Sequence, residues 1–192
     1  MLFSKQKMKI LLASNSPRRK ELLQNLGFDF DVISVDCEEV YPDDLPTEKV
    51  AEYLSELKAN SFRNLEKGEV LITADTVVSI GDEILGKPGN AKEAKEMLQK
   101  LSGKTHRVFT GITIRTLDKT ISKTDVAEVE FEIINSLESE YYVKNFRPFD
   151  KAGSYGIQEW LGMAKIKSLH GSFYTIMGLP THLVYAILKD LE

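Results

Sequence analysis

The sequence predicts a mixed α/β fold, and two observations carry that reading. Ile10–Ala13 is an unbroken apolar run, as in a strand buried on both faces, and it leads through Ser14, Asn15 and Ser16 into a helix opening at Pro17. Far along the chain, Ala127, Val129, Phe131 and Ile133 alternate with Glu128, Glu130 and Glu132, the pattern of a half-exposed antiparallel strand with an acidic outer face. A length of 192 residues fits a single domain spanning 1–192, and 42% hydrophobic residues are enough for a real core. A net charge of −4 argues against a general nucleic-acid binder but leaves room for a local basic site that takes a small anion. The single cysteine, Cys37, excludes an internal disulfide and a multi-cysteine zinc site, and points to a reducing cytoplasm. Met1–Lys9 lacks the apolar core of a leader, and no run reaches membrane-spanning length, so neither secretion nor insertion is expected.

The first helix starts well because proline's fixed φ suits the first helical position, where its missing N–H costs nothing. Leu22, Leu23 and Leu26 mark its buried stripe, and Gly27 closes it as a left-handed cap. Arg18 and Arg19 stand in its first turn, where the helix dipole repels cations. An anion bound at the free amides, with phosphate the natural choice, would supply the compensating charge. The plain alternative is a capped helix with two solvated arginines.

Phe28–Val35 reads as a second strand, followed by Asp36, Cys37, Glu38 and Glu39. These acids make a solvated loop or, just past a strand end, a holder for a divalent cation. Thr47 is placed as the N-cap of a helix running to Lys67, with Val50, Leu54 and Leu57 buried and Gly68 at its end. Lys58 lies one step past that stripe and reads as a snorkelling lysine.

Val70–Ile80 is a strong β run with one ionisable residue, Asp75, in its middle. A carboxylate among Ile72, Ala74, Val77 and Val78 is costly to bury alone, so Asp75 calls for a cation, a hydrogen-bond network or a catalytic task. Gly81-Asp82 forms a turn, and Lys87 is held between Gly86 and Pro88, either aimed by that rigid backbone or simply exposed. Ala91–Leu101 is a helix burying Ala94, Met97, Leu98 and Leu101. Ser102-Gly103-Lys104-Thr105-His106 lacks the first glycine of a phosphate loop and follows a helix, which excludes that motif. His106 has no second histidine at metal spacing, so a zinc enzyme is not expected.

Val108–Thr116 and Thr120–Ile134 form two long strands around Asp118-Lys119, and Ser136 caps a helix to Asn145. Pro148–Gln158 is rich in small residues. In it Asp150 and Lys151 can form a simple ion pair, and Gly153 and Gly156 can let backbone approach a ligand. Trp160 is read as closing the core rather than stacking on a base. Ile166–Leu169 and Phe173–Met177 look like short strands, and Leu179-Pro180-Thr181 opens a last helix burying Leu183, Val184, Ile187, Leu188 and Leu191.

Taken together, Leu12–Arg19, Ala74-Asp75-Thr76-Val77-Val78, Gly86-Lys87-Pro88, Ser102–His106, Asp150–Gln158 and Met177-Gly178-Leu179-Pro180 resemble the Maf family of nucleoside triphosphate pyrophosphatases, in the family's order over nearly the whole chain. The resemblance implies an elongated mixed-sheet α/β fold of the inosine triphosphatase type, with two lobes around a central cleft, and frequent homodimers. It implies hydrolysis of a nucleoside triphosphate to the monophosphate and pyrophosphate in the cytoplasm, with no nucleic-acid or membrane partner. By position, Ser14, Ser16, Arg18 and Arg19 would hold phosphate, with Arg19 also near the base. Glu39, Lys58, Asp75 and Lys87 would form the reaction centre, Asp75 being the general base and Glu39 with Asp75 the carboxylates for Mg²⁺ or Mn²⁺. The Tyr155-Gly156-Ile157-Gln158 form of the late motif resembles the subfamily acting on dTTP and UTP, with Gln158, Thr76 and Arg19 reading the base edge. The alternatives are 7-methyl-GTP as substrate, or a nucleotide-binding regulator without turnover.

Overall fold

The structure, a computed structural model, describes residues 8–191. The expected absence of a leader core in Met1–Lys9 therefore lies, as far as Lys7, outside the described residues. Among the described residues a seven-stranded mixed sheet carries the helices. Its strands are β1 (Lys9–Ala13), β2 (Phe30–Ile33), β3 (Glu69–Ile80), β4 (Glu83–Leu85), β5 (Thr105–Arg115), β6 (Thr120–Phe131) and β7 (Ile166–His170). Their order is β2-β1-β3-β5-β6-β7, with β4 on β3. The helices are α1 (Pro17–Asn25), α2 (Thr47–Asn60), α3 (Ala91–Leu101), α4 (Ser136–Phe146), α5 (Trp160–Lys165), α6 (Phe173–Met177) and α7 (Thr181–Asp190), with a 3-10 turn at Ala152–Ser154. Two compact units divide the chain. The first runs to Asp75 and adds Thr110–Asp125 and the segment from Gly178; the second takes Thr76–Phe109 and Val126–Met177.

In the first unit, β1 pairs in parallel with β2 on one side and β3 on the other, Leu11 standing opposite Asp31 and Leu71. Flanked on both edges, Ile10, Leu11 and Leu12 are buried, as the unbroken apolar run requires. Ala59, Leu65 and Leu71 close a cluster with Leu11 and Ala13, against Ile33, Val35 and Phe62. Two boundaries differ from the sequence expectation. β2 is shorter because only Phe30–Ile33 has β1 to pair with. α2 ends at Asn60 rather than Lys67, and Pro46 rather than Thr47 holds its cap position. The residues after it wrap the buried Glu69 carboxylate instead: Arg63 binds it through both terminal nitrogens at 2.8 and 2.9 Å, and the Glu66 amide at 3.0 Å. Arg63 holds that carboxyl down, to about 2.

In the second unit, β3 and β4 form a hairpin through Gly81 and Asp82. α3 spans the expected residues, and its Asn90 cap accepts the Lys92 and Glu93 amides at 3.0 Å each. α4 is capped by Asn135 rather than Ser136. Asn135 and Glu138 exchange side-chain and backbone bonds in a capping box, which the Ser136 reading overlooks by one residue. The acidic face of β6 is matched by β7, with Glu130 bound to Lys167 at 2.8 Å and Ser168 at 3.0 Å. A register shift at Glu130/Phe131 ends the strand there, so Ile133 leaves the alternating pattern and stands exposed. Phe173–Met177 is a helical turn rather than a strand, since β7 ends at His170 and leaves it no strand to join. α5 has no counterpart in the sequence reading. Trp160 opens it half-buried, ring against ring with Tyr141 at 5.0 Å, so it packs at the surface rather than closing the core.

His106 is fully buried in this unit between Phe131 and Tyr155, with its Nε2 2.7 Å from the Tyr155 hydroxyl. Burial pushes the imidazolium down, to about 4. The unfolded chain therefore takes up this proton first, and folding loses stability as pH falls from the ordinary histidine value toward 4. The loss should approach about 3 kcal/mol across that interval. Urea denaturation at pH 7, 5.5 and 4.5 should show the decline, and His106→Phe should flatten it between pH 7 and 5.5, above the range where Glu69 of the unfolded chain takes up its proton.

Candidate active site

The loop joining β1 to α1 is built to leave polar groups open. Its N-cap, Ser16, is extended (φ −65°, ψ 119°) and makes no side-chain cap bond, and the first turn contains no acid. The positive end of the α1 dipole thus has neither a capping side chain nor an acid to offset it, an arrangement that favours an anion. The Ser14 hydroxyl, buried beneath the loop, accepts the Ser16 amide at 3.2 Å and the Arg19 Nη1 at 3.5 Å.

Arg19 is the tie of this region. Its Nε donates to the Gly178 carbonyl and its Nη1 to the Ala74 carbonyl, each at 2.8 Å. Burial lowers its pKa, opposed by the charge of Asp75. Gly178 holds φ +108°, a conformation that favours glycine and turns its carbonyl to the guanidinium. The residue expected to hold phosphate and lie near the base thus commits donors to the main chain on either side. Arg18, its neighbour, is half-buried in the same turn.

Asp75 meets its cation in Lys58. The Lys58 Nζ lies 2.5 Å from Asp75 Oδ1 and 3.1 Å from Glu39 Oε1, and both side chains of the closer pair are only 14% and 13% exposed. The snorkelling reading of Lys58 is therefore replaced by an aimed ammonium. The last acid of the 36–39 loop is brought to the same cation, which joins three of the expected reaction-centre residues. Removing one partner of so buried a pair typically costs 3–5 kcal/mol.

Thr76 follows on β3 and so faces away from Asp75. Lys87 and Gln158 are both exposed, the first in the segment after β4 and the second just before α5. These three belong to the second unit. There Lys151 bonds Asp150 at 2.8 Å, as the simple pair predicts, and also Glu159 at 3.1 Å. The Tyr142 hydroxyl donates to Glu159 and accepts the Gly156 amide at 2.9 Å. The sequence reading missed this network, because nothing in the spacing of Tyr142 and Glu159 announces it. Nor do the two glycines make room for a ligand: a Cβ at Gly153 would strike Val78, and one at Gly156 the Glu159 carboxylate.

Among the described residues no three His, Cys, Asp or Glu side chains gather as a metal cage. Glu39 and Asp75 nevertheless fit a magnesium-type ion, which is commonly held by one or two carboxylates and completed by substrate phosphates. Their oxygens are hard donors converging on one cationic point, the Lys58 ammonium.

A family model described as Maf-like protein matches residues 9–191. The chain is 48% identical to a dTTP/UTP pyrophosphatase of Bacteroides thetaiotaomicron over the full length of both proteins. It is 47% identical to a dTTP/UTP pyrophosphatase of Porphyromonas gingivalis, covering 99% of this chain and 98% of that one. Among solved structures, the Ham1 protein of Staphylococcus aureus superposes with a TM-score of 0.56 at 16% identity, covering 96% of this chain and all of that one. A Ham1 protein from Coxiella burnetii gives 0.53 at 15%, covering 95% and 99%. The likeness to these two is one of fold.

Arg19→Lys should lower stability by about 1–3 kcal/mol, because a point charge cannot reach both carbonyls as the guanidinium fork does. Thermal denaturation measures it, and an unchanged melting temperature would show that the two carbonyl bonds carry little.

Proposed function

Because this chain belongs to the Maf family, we propose that it is a nucleoside triphosphate pyrophosphatase acting on dTTP and UTP. Relatives bearing that name match it over 100% and 98% of their length at 48% and 47% identity. The observation that carries the chemistry is one guanidinium, Arg19, joining the Ser14 hydroxyl to the carbonyl just before Asp75. It links an anion-accepting helix N-terminus to a carboxylate that already holds a lysine.

The α1 amides, the Ser14 and Ser16 hydroxyls and Arg18 receive phosphate oxygens. Lys58 engages Asp75 through Oδ1, leaving Oδ2 to orient a water and accept its proton as the water oxygen attacks the α-phosphorus. The α–β anhydride breaks, and pyrophosphate leaves with the bond pair. When bound, Mg²⁺ or Mn²⁺ supplies positive charge to the phosphate oxygens, and Glu39 and Asp75 are the residues that would hold it. We assign Lys87 to leaving-group charge, and Thr76 with Gln158 to base selection, on the resemblance alone. The reading places the enzyme in the cytoplasm without nucleic-acid partners, and the resemblance adds a homodimer as the assembly to test. Cys37 is a free thiol, and no helix among the described residues is long and apolar enough to cross a membrane.

Pyrophosphate release is to be measured over dTTP, UTP, CTP, ATP, GTP and 7-methyl-GTP with Mg²⁺ or Mn²⁺. Preference for dTTP and UTP is expected. Turnover of 7-methyl-GTP alone would overturn the base assignment, and binding without any turnover would make the protein a sensor. Asp75→Asn should lower kcat at least about a hundredfold while calorimetry still detects nucleotide binding. Gln158→Ala should relax the base preference more than it slows dTTP; unchanged relative rates across the panel would remove Gln158 from base reading.

A further inference from the structure

We propose that three buried hydroxyl residues, Ser55, Thr73 and Thr113, are positioning residues that set the register of α2 on the sheet and thereby deliver Lys58 to Asp75. The inference rests on the reading of that pair as the reaction centre. All three residues are fully buried in the first unit. The Thr73 hydroxyl, on β3, donates to the Ser55 carbonyl of α2 at 2.6 Å. The Ser55 hydroxyl lies 2.7 Å from the Glu52 carbonyl and 2.8 Å from the Thr113 hydroxyl of β5, which in turn lies 3.0 Å from Ser122 of β6.

The direction of this chain follows from proton counting. A carbonyl can only accept, so Ser55 spends its one proton on Glu52 and must accept from Thr113. Thr113, having donated, accepts from Ser122. Ser55 and Thr113 each give one proton and take one, and Thr73 gives its own to the Ser55 carbonyl, so these contacts are met together in one alignment of α2. Apolar side chains would fill the same contact without choosing among alignments.

Spacing links the chain to the charged pair. Thr73 and Asp75 are two apart on β3 and share a face; Ser55 and Lys58 are three apart on α2 and share a face. The Thr73–Ser55 and Asp75–Lys58 contacts are thus successive rungs between one strand and one helix. Gly111 lets the rungs be short. A Cβ there would stand 2.3 Å from the Ala51 carbonyl carbon and oxygen and 2.4 Å from the Glu52 nitrogen, so the backbone of β5 lies directly against that of α2.

The test uses Thr73→Val and Thr113→Val, which remove a hydroxyl at nearly constant shape, with Thr73→Ser as the conservative partner. With dTTP, each valine variant should lower kcat about tenfold and leave KM within twofold, while Thr73→Ser keeps wild-type kcat. In a Lys58→Met background, Thr73→Val should cost no further rate, since the group it places is gone. Gly111→Ala should give a larger loss of the same kind. A lowered melting temperature with unchanged kcat would overturn the proposal, and so would an equal rate loss in the Lys58→Met background. Should the protein turn over no triphosphate, the activity reading fails separately, and register is read by nitrogen-15 NMR of the Lys58 ammonium. Its signal should persist in wild type and Thr73→Ser and vanish in Thr73→Val; persistence in Thr73→Val would overturn the proposal.

Discussion

A carboxylate in the middle of a buried strand cannot be left to itself, and the first unit is arranged around that fact. Asp75 could lower its cost by a metal, by amides or by a cation, and the chain supplies Lys58 from the preceding element in sequence. For the ammonium to arrive, α2 must lie on β3 and β5 in one register and at close range. The hydroxyls of Ser55, Thr73 and Thr113, and the bare backbone at Gly111, belong to the same requirement. Glu39 then joins from the loop, bringing a second negative group to a cation already committed.

The β1–α1 loop answers the opposite problem. It gathers hydroxyls, two arginines and the positive end of a helix dipole within a chain whose net charge is −4. Positive potential is therefore local, and a polyanion of small size is what it suits. Arg19 spans both problems, because its guanidinium touches the loop through Ser14 and the strand through Ala74. Anion end and carboxylate are thereby held as one rigid piece.

Much of this was legible from residue order, and the part that was not has a common cause. Elements whose signal is local read well: β1 from its apolar run, α1 from Pro17, and α3 at both ends. Asp75 stands out because one ionisable residue in an eleven-residue β run is a local anomaly. Lys58 does not, since its position on the stripe's border is what a solvated lysine would show; only the packing of α2 on β3 reveals its target. The Phe173–Met177 turn has strand-like composition, but composition says nothing about whether a neighbouring strand exists. Ser55, Thr73 and Thr113 look like ordinary small residues in helix and strand. A usable signal was present in Gly111, a glycine inside a long strand, which marks close backbone approach.

The bond from Arg19 to Gly178 also has a consequence for how the protein is made. It joins residues separated by 159 positions, so its acceptor is made long after its donor. While the ribosome is still synthesising the middle of the protein, β1, α1, β2 and β3 can already assemble, because their pairing partners are in hand. The guanidinium at that stage has only part of its final partner set. The anion loop consequently takes its finished form only after the segment from Gly178 has emerged and α7 has docked. A nascent chain is thus folded before it is equipped, and nucleotide met during synthesis finds an immature pocket.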